Sequence, residues 1–295
     1  MIPCAIVGAG NWGRSLVRHM EPHFSLRSVV DPSSLNWILA CAASRKILSQ
    51  KQIQRVLQSK DVQVIFIASP NHLHAQHITQ ALRHGKHVYV EKPIVNTMEE
   101  LHVVECEQKT SGKSLMVAHT MAYEGWVQKS RVLIPKVEHI QIRHHLPRNY
   151  SDWRSDPDCC HGGILSQLGL HVFDLISVLC GFLPEHVRIR SCTDIKNLEE
   201  INFVLSGSGV TAEVDLSFMQ SAKYICSVSG GGAQVCYEDG ILKDRNGEIT
   251  YESGTMLDKA MQRFAQMIRS NMTNVVYARE LLQKREEVYR ICKRH

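Results

Sequence analysis

Lys92 closes the run His87-Val88-Tyr89-Val90-Glu91-Lys92-Pro93, where an apolar strand gives way to proline. An ammonium there can give a proton to the alkoxide that forms as a carbonyl is reduced, or a free amine can take one as a hydroxyl is oxidised. A lysine pKa of about 10.4 suits the acid; service as a base near neutrality needs burial or a neighbouring positive charge. Such chemistry requires a hydride carrier, and the amino terminus has the pattern for one. Residues 5–16 read as an apolar strand, a Gly8-x-Gly10-x-x-Gly13 turn and the start of a helix. Gly8 permits the tight turn, Gly10 lets backbone approach a pyrophosphate, and Gly13 lets helix and strand close on each other, while free N–H groups at the helix start face the phosphates. Asn11 and Trp12 occupy the variable positions and are candidate cofactor contacts. Asp31 follows the next apolar run at about the interval of the carboxylate that accepts ribose hydroxyls. This favours NAD(H), with NADP(H) left open by the nearby Arg27 and Ser33. The competing readings are a strand–helix turn without a ligand, and Asp31 as a cap before Pro32.

These residues need a scaffold, and the periodicity predicts one. A short helix over 53–57, a buried strand over 62–68, a helix over 74–84 ended by Gly85, and a strand over 88–90 follow in turn. Thr97-Met98-Glu99-Glu100 has the capping-box pattern for a helix to about 111, and 115–117 is a further strand. Repeated strand–helix units imply an α/β fold with a doubly wound parallel sheet whose ligands lie beyond the carboxyl ends of the strands. Three segments reach that edge: 8–13, Ser69-Pro70-Asn71 with His74, and Glu91-Lys92-Pro93. The second half has strands at 137–145, 187–192, 202–206, 210–219, 224–229 and 234–237, one helix at 165–179, and two final helices at 256–270 and 275–294. This is an α+β pattern with a large, mostly antiparallel open sheet. The domains are read as 1–118 for dinucleotide binding and 119–295 for substrate binding and oligomerisation.

Composition excludes other classes. The 295 residues, 44% hydrophobic, suffice for two domains, and no apolar run nears the roughly 20 residues that span a bilayer. A cytoplasmic enzyme without a membrane partner is the expectation. Ten cysteines, scattered apart from Cys159-Cys160 and without a C-x-x-C pair, fit reduced thiols and no structural metal. The net charge of +5 comes from cations interspersed with acids, unlike a nucleic-acid surface.

In order, the chain has Gly8-x-Gly10-x-x-Gly13, Ser69-Pro70-Asn71-x-x-His74, Gly85-Lys86-His87-Val88-x-Val90-Glu91-Lys92-Pro93, Trp153, and His161-Gly162-Gly163-Ile164-Leu165-x-x-x-Gly169-x-His171-x-x-Asp174. This series resembles the glucose-fructose oxidoreductase, inositol dehydrogenase and rhizopine catabolism (Gfo/Idh/MocA) family. The resemblance implies oxidoreduction of sugars, nucleotide-linked sugars, cyclitols and related carbonyl compounds with a nicotinamide cofactor. It makes Lys92 the catalytic lysine and His171 a partner in catalysis or substrate orientation. It places Asn71 and His74 at the nicotinamide end of the cofactor, with Ser69, Glu91 and Lys92 as further candidate cofactor contacts. Lys92, Tyr123, Gln167 and His171 are candidate substrate contacts, as are Trp153 and Arg154, in a polar linker that reads either as a lid over the pocket or as a solvated loop. It also implies a homodimer or homotetramer through the C-terminal sheet. Three departures stand out. Gln167 occupies the position of the family's usual aspartate, no arginine stands near Ala122, and His161 replaces a glycine. Glutamine can orient a hydroxyl or carbonyl but cannot take a proton, so Gln167 enters the catalytic set only as an orienting group. The departures keep two alternatives open: a reductase of a non-sugar acceptor of imine or tetrapyrrole type, and a redox-inactive dinucleotide-binding regulator or scaffold.

Overall fold

The computed structural model describes residues 1–33, 47–48, 53–147, 163–193 and 198–294. By contact they form two compact units. One comprises Met1–Ala118 with Leu257–Arg279, the other His119–Met256 with Glu280–His295.

In the first unit, strands β1 (Ile2–Val7), β2 (Phe24–Val30), β3 (Ile47–Leu48), β4 (Val64–Ile67), β5 (His87–Val90) and β6 (Leu115–Val117) make one sheet in the order β3-β2-β1-β4-β5-β6. Every described pairing is parallel. Strands covered on both faces read as continuous apolar runs, and β4 and β6 are buried throughout. Helices α1 (Asn11–His19), α2 (Ile53–Gln58), α3 (His74–Arg83) and α4 (Met98–Ser111) connect them. The capping box of α4 is formed: the Glu100 N–H donates to Thr97 Oγ1, and the Glu100 carboxylate accepts from the Thr97 N–H. Gly112 ends that helix at φ 62°.

The chain returns to this unit late. A reading that closes the first domain at residue 118 leaves out 257–279, and the packing explains why that segment belongs. Phe264 stacks on Phe24 at 5.6 Å and meets Phe66 and Tyr89 at 5.8 and 5.6 Å. Those three rings come from β2, β4 and β5, and all four side chains are fully buried. Beyond it, Asn274 covers the free edge of β6: its Oδ1 accepts the Val117 N–H at 2.8 Å and its Nδ2 donates to the Val117 carbonyl at 2.9 Å. With the Thr273 hydroxyl and the Asn274 N–H both on the Leu115 carbonyl, this short segment takes the place of a neighbouring strand at that edge.

In the second unit, β7 (His139–His145), β8 (His186–Cys192), β9 (Glu200–Gly207), β10 (Val210–Ser217), β11 (Lys223–Gly230), β12 (Ala233–Glu238), β13 (Ile241–Asp244) and β14 (Gly247–Ile249) form a sheet in the order β14-β13-β12-β11-β7-β10-β9-β8. The described pairings are antiparallel except β7 with β10. Strand β10 (Val210–Ser217) alternates buried Val210, Ala212, Val214 and Leu216 with part-exposed Thr211, Glu213 and Asp215. One face therefore packs and the other is polar. A helix at Gly125–Leu133 and the hairpin β13–β14 lie outside the periodicity reading. The expected helix at 165–179 is present with a change of pitch: Leu165–Gly169 is a π turn continuing into the α-helix Leu170–Cys180. Among the described residues no helix is long and apolar enough to cross a membrane.

Candidate active site

The glycine turn is built from close backbone approaches. Gly8 has φ 91°, and a Cβ there would lie 2.5 Å from the Ala68 carbonyl group. A Cβ on Gly13 would overlap the Gly8 carbonyl oxygen. Gly10 differs: among the described residues nothing lies within 4 Å of where its Cβ would be. Its neighbour Asn11 begins α1, whose first turn carries no acid and no side-chain cap. Unpaired N–H groups and open space meet there, and a pyrophosphate fits that donor set. Arg14 donates to Asn11 Oδ1 at 2.6 Å, which puts a cation over the same turn. Trp12 is 51% exposed beside it. Asp31, buried at the end of β2, accepts the Ala9 N–H at 2.6 Å through Oδ2 and the Ser33 N–H at 2.8 Å through Oδ1. Its carboxylate therefore braces the turn.

The ends of β4 and β5 supply the next layer. Ser69 and Asn71 are buried there, and Ser69 Oγ lies 2.9 Å from His77 Nδ1. Burial, with His74 and His72 nearby, pushes His77 down to about 4, so it is neutral near pH 7. His74 lies between two loops of the sheet edge. It has no exposed surface, its Nδ1 is 2.7 Å from the Pro93 carbonyl oxygen, and its Nε2 is 2.8 Å from that of Ser69. His74 thus ties the loop after β4 to the loop that carries Lys92. A neutral ring has one N–H and donates to one carbonyl, whereas the cation donates to both. Burial lowers the pKa of His74, and the two carbonyls oppose that shift.

Lys92 follows β5 and is part-exposed, with a cis peptide to Pro93. Glu91 beside it is raised by burial to about 7, against the pull of the Lys92 ammonium. The other lysine flanking this strand is structural: Lys86 Nζ donates to the Ser59 and Val62 carbonyls at 2.6 and 2.7 Å.

In the second unit, residues 163–177 are buried except Gly163, Gln167 and His171, among the described residues. Gln167 and His171 are thus part-exposed, four positions apart, on an otherwise buried stretch of helix. Gly163, at φ 51°, is the pivot: a Cβ there would lie 2.8 Å from the Leu198 carbonyl oxygen. Asp174 is buried and accepts the Met121 N–H at 3.1 Å, which fixes the 3-10 turn carrying Tyr123. Sequence reasoning missed Ser166, buried at the heart of the π turn, and Arg285, whose Nη1 donates to Ser166 Oγ at 3.0 Å. An arginine inside the apolar stripe of the last helix was the available signal. Trp153, Arg154, His161 and Gly162 lie outside the described residues. Lys92 belongs to the first unit, and Tyr123, Gln167 and His171 to the second.

Comparison with known proteins agrees with this geometry. Residues 2–119 match an oxidoreductase family with an NAD-binding Rossmann fold, and 133–243 match the GFO/IDH/MocA C-terminal domain. The chain is similar to the 2,7-anhydro-N-acetylneuraminate hydratase of Escherichia coli K12, 28% identical over 229 residues, covering 74% of this chain and 58% of that protein. It thus spans under two thirds of that relative's length. Its fold is that of the aldose-aldose oxidoreductase from Caulobacter crescentus solved with glycerol, at a TM-score of 0.80 and 19% identity over 99% of this chain and 98% of that one. A levoglucosan dehydrogenase in complex with NADH gives a TM-score of 0.80 at 16% identity, covering 97% and 95%.

Proposed function

The chain belongs to the GFO/IDH/MocA oxidoreductase family, and from that premise we propose that it is an NAD(H)-dependent dehydrogenase or reductase acting on a sugar, nucleotide-linked sugar, cyclitol or related carbonyl compound. The observation that carries this reading is the shared edge of one parallel sheet. Lys92 follows the carboxyl end of β5, and the open glycine turn follows that of β1, with β4 between them. Bound nicotinamide supplies or accepts the hydride. Gly10 and the start of α1 hold the pyrophosphate, Asp31 accepts the ribose hydroxyls, and its carboxylate disfavours a 2′-phosphate. Lys92 delivers the proton to the forming alkoxide or removes it from the substrate hydroxyl. His171 and Gln167, with Tyr123, orient the oxygen that gains or loses that proton. Gln167 cannot carry a proton itself, so proton transfer rests on Lys92 and His171.

The test is calorimetric titration with NADH and then NADPH, with Gly10→Val as the control. Tight NADH binding that the substitution abolishes supports the reading. A panel of glucose 6-phosphate, levoglucosan and UDP-N-acetylglucosamine is then assayed with the wild type and Lys92→Ala. Failure to bind either nucleotide would overturn it.

A second reading follows from Gln167 in place of the expected acid and from the relative named as a hydratase. Here the enzyme catalyses a net redox-neutral conversion in which hydride leaves and returns to one substrate. Turnover without net accumulation of NADH distinguishes this case. The polar face of the eight-stranded sheet suits a second copy of the chain, and light scattering of the purified protein reads the oligomer size.

A further inference from the structure

We infer that Arg285 is a positioning residue: through Ser166 it holds the π turn Leu165–Gly169 at the pitch that presents Gln167 and His171 together. The inference rests on the reading that those two side chains face substrate.

Helix Val275–Cys292 buries Leu281, Leu282, Val288 and Cys292 along one stripe, and Arg285 sits in that stripe with 2% of its surface exposed. Removing a guanidinium from water costs several kcal/mol, and a well-packed apolar residue of similar volume serves stability as well or better. Arg285 therefore supplies direction more than packing. Its Nη1 donates to Ser166 Oγ at 3.0 Å, and its Nη2 bonds the Glu286 carboxylate. Ser166 has no exposed surface.

The segment it grips is the irregular one. The Leu170 N–H returns to the Leu165 carbonyl, one residue beyond the α-helical partner. Such turns are rare and cluster at functional positions. Relaxation to α-helical pitch would rotate the segment before the turn by about 100°, one residue's worth of azimuth. Gln167, inside the turn, would take up only part of that rotation and move to the ordinary i, i+4 offset of about 40° from His171. On the far side, Asp174 is fixed by the Met121 N–H. The two outward-facing residues thus lie between two buried polar anchors, Ser166 and Asp174.

The experiment labels the histidine rings of the full chain with 15N and assigns His171 by its loss in His171→Gln. Arg285→Met and Ser166→Ala are expected to shift the His171 ring resonances and titration midpoint. Those of the exposed His139 and His186 should stay in place, and Arg285→Lys should restore part of the wild-type position. On any sugar that the wild type turns over, both variants should lose about a hundredfold in kcat, the scale of a displaced group, with NADH affinity unchanged. If Arg285→Met fails to fold, Ser166→Ala removes only the hydroxyl and carries the test. His171 resonances unmoved in the folded variants, whatever their melting temperatures, would overturn the inference. Unchanged turnover in Gln167→Ala and His171→Ala would instead overturn the substrate-facing reading, while the His171 spectrum would still report on the hold of Arg285.

Discussion

Around Gly8, Gly10 and Gly13 the first unit makes its site from main chain, and the absence of side chains is what matters. Around Gln167 and His171 the second unit makes its site from side chains, aimed by a turn whose anchor, Arg285, lies 119 residues from Ser166. The first kind of site is specified locally and leaves no room for an added atom at Gly8 or Gly13. The second depends on distant contacts, and its side chains can be exchanged with the backbone intact. One unit should therefore fail abruptly on substitution, the other by degrees.

The sharpest break is expected at Gly13. Gly13→Ala drives a methyl into the Gly8 carbonyl and should cost on the order of 3 kcal/mol or more, read as a lowered melting temperature with loss of NADH binding. Gly10→Ala is the contrast: with open space around it, the stability change should stay within about 1 kcal/mol. Equal melting temperatures for the two variants would contradict the account of the turn. Lys92→Met should leave NADH affinity within about a factor of two and lower turnover by about 10² to 10⁴, the range for a positioned acid or base. On the substrate side, Gln167→Asp should raise polyol oxidation by on the order of tenfold, since a carboxylate can support the proton transfer that an amide cannot. Unchanged oxidation in that variant would argue for the redox-neutral reading.

The smallest effect concerns pH. Glu91 has a folded-state pKa of about 7, above its ordinary 4.5, because burial favours the protonated form. The stability this contributes is complete below about 4.5 and is lost as pH rises through 7. Melting curves of Glu91→Gln and the wild type should diverge across that window, with the variant the more stable at pH 8 by at most about 3 kcal/mol. Parallel curves from pH 4 to 8 would remove Glu91 as a titrating neighbour of Lys92.

The same contrast explains what the sequence made legible. Glycine spacing, the capping box at Thr97 and the continuous apolar strands are local signals, and the parallel sheet follows them closely. Lys92 stands out in the sequence because the strand before it and the proline after it are local too. The motif of His74 gives its position along the chain but says nothing of two carbonyls converging on one ring. The π turn escaped because its residues have ordinary helical periodicity, and the extra residue is accommodated by contacts made elsewhere. Ser166 is silent for the same reason, and Arg285 shows only as an arginine inside an apolar stripe, because their pairing is set by tertiary structure. Asp174 accepts the Met121 N–H, from a residue 53 positions away that no local pattern announces.

Synthesis runs from one end of a chain to the other, and domains generally fold as units as they emerge. Here the wall of Phe24, Phe66 and Tyr89 waits for Phe264, and the edge of β6 waits for Asn274. On the ribosome, the nucleotide-binding half would begin first and finish last, holding an unfilled aromatic face through the translation of the entire eight-stranded sheet. A nascent chain stalled anywhere before residue 264 is then a client for a chaperone, however complete its glycine turn.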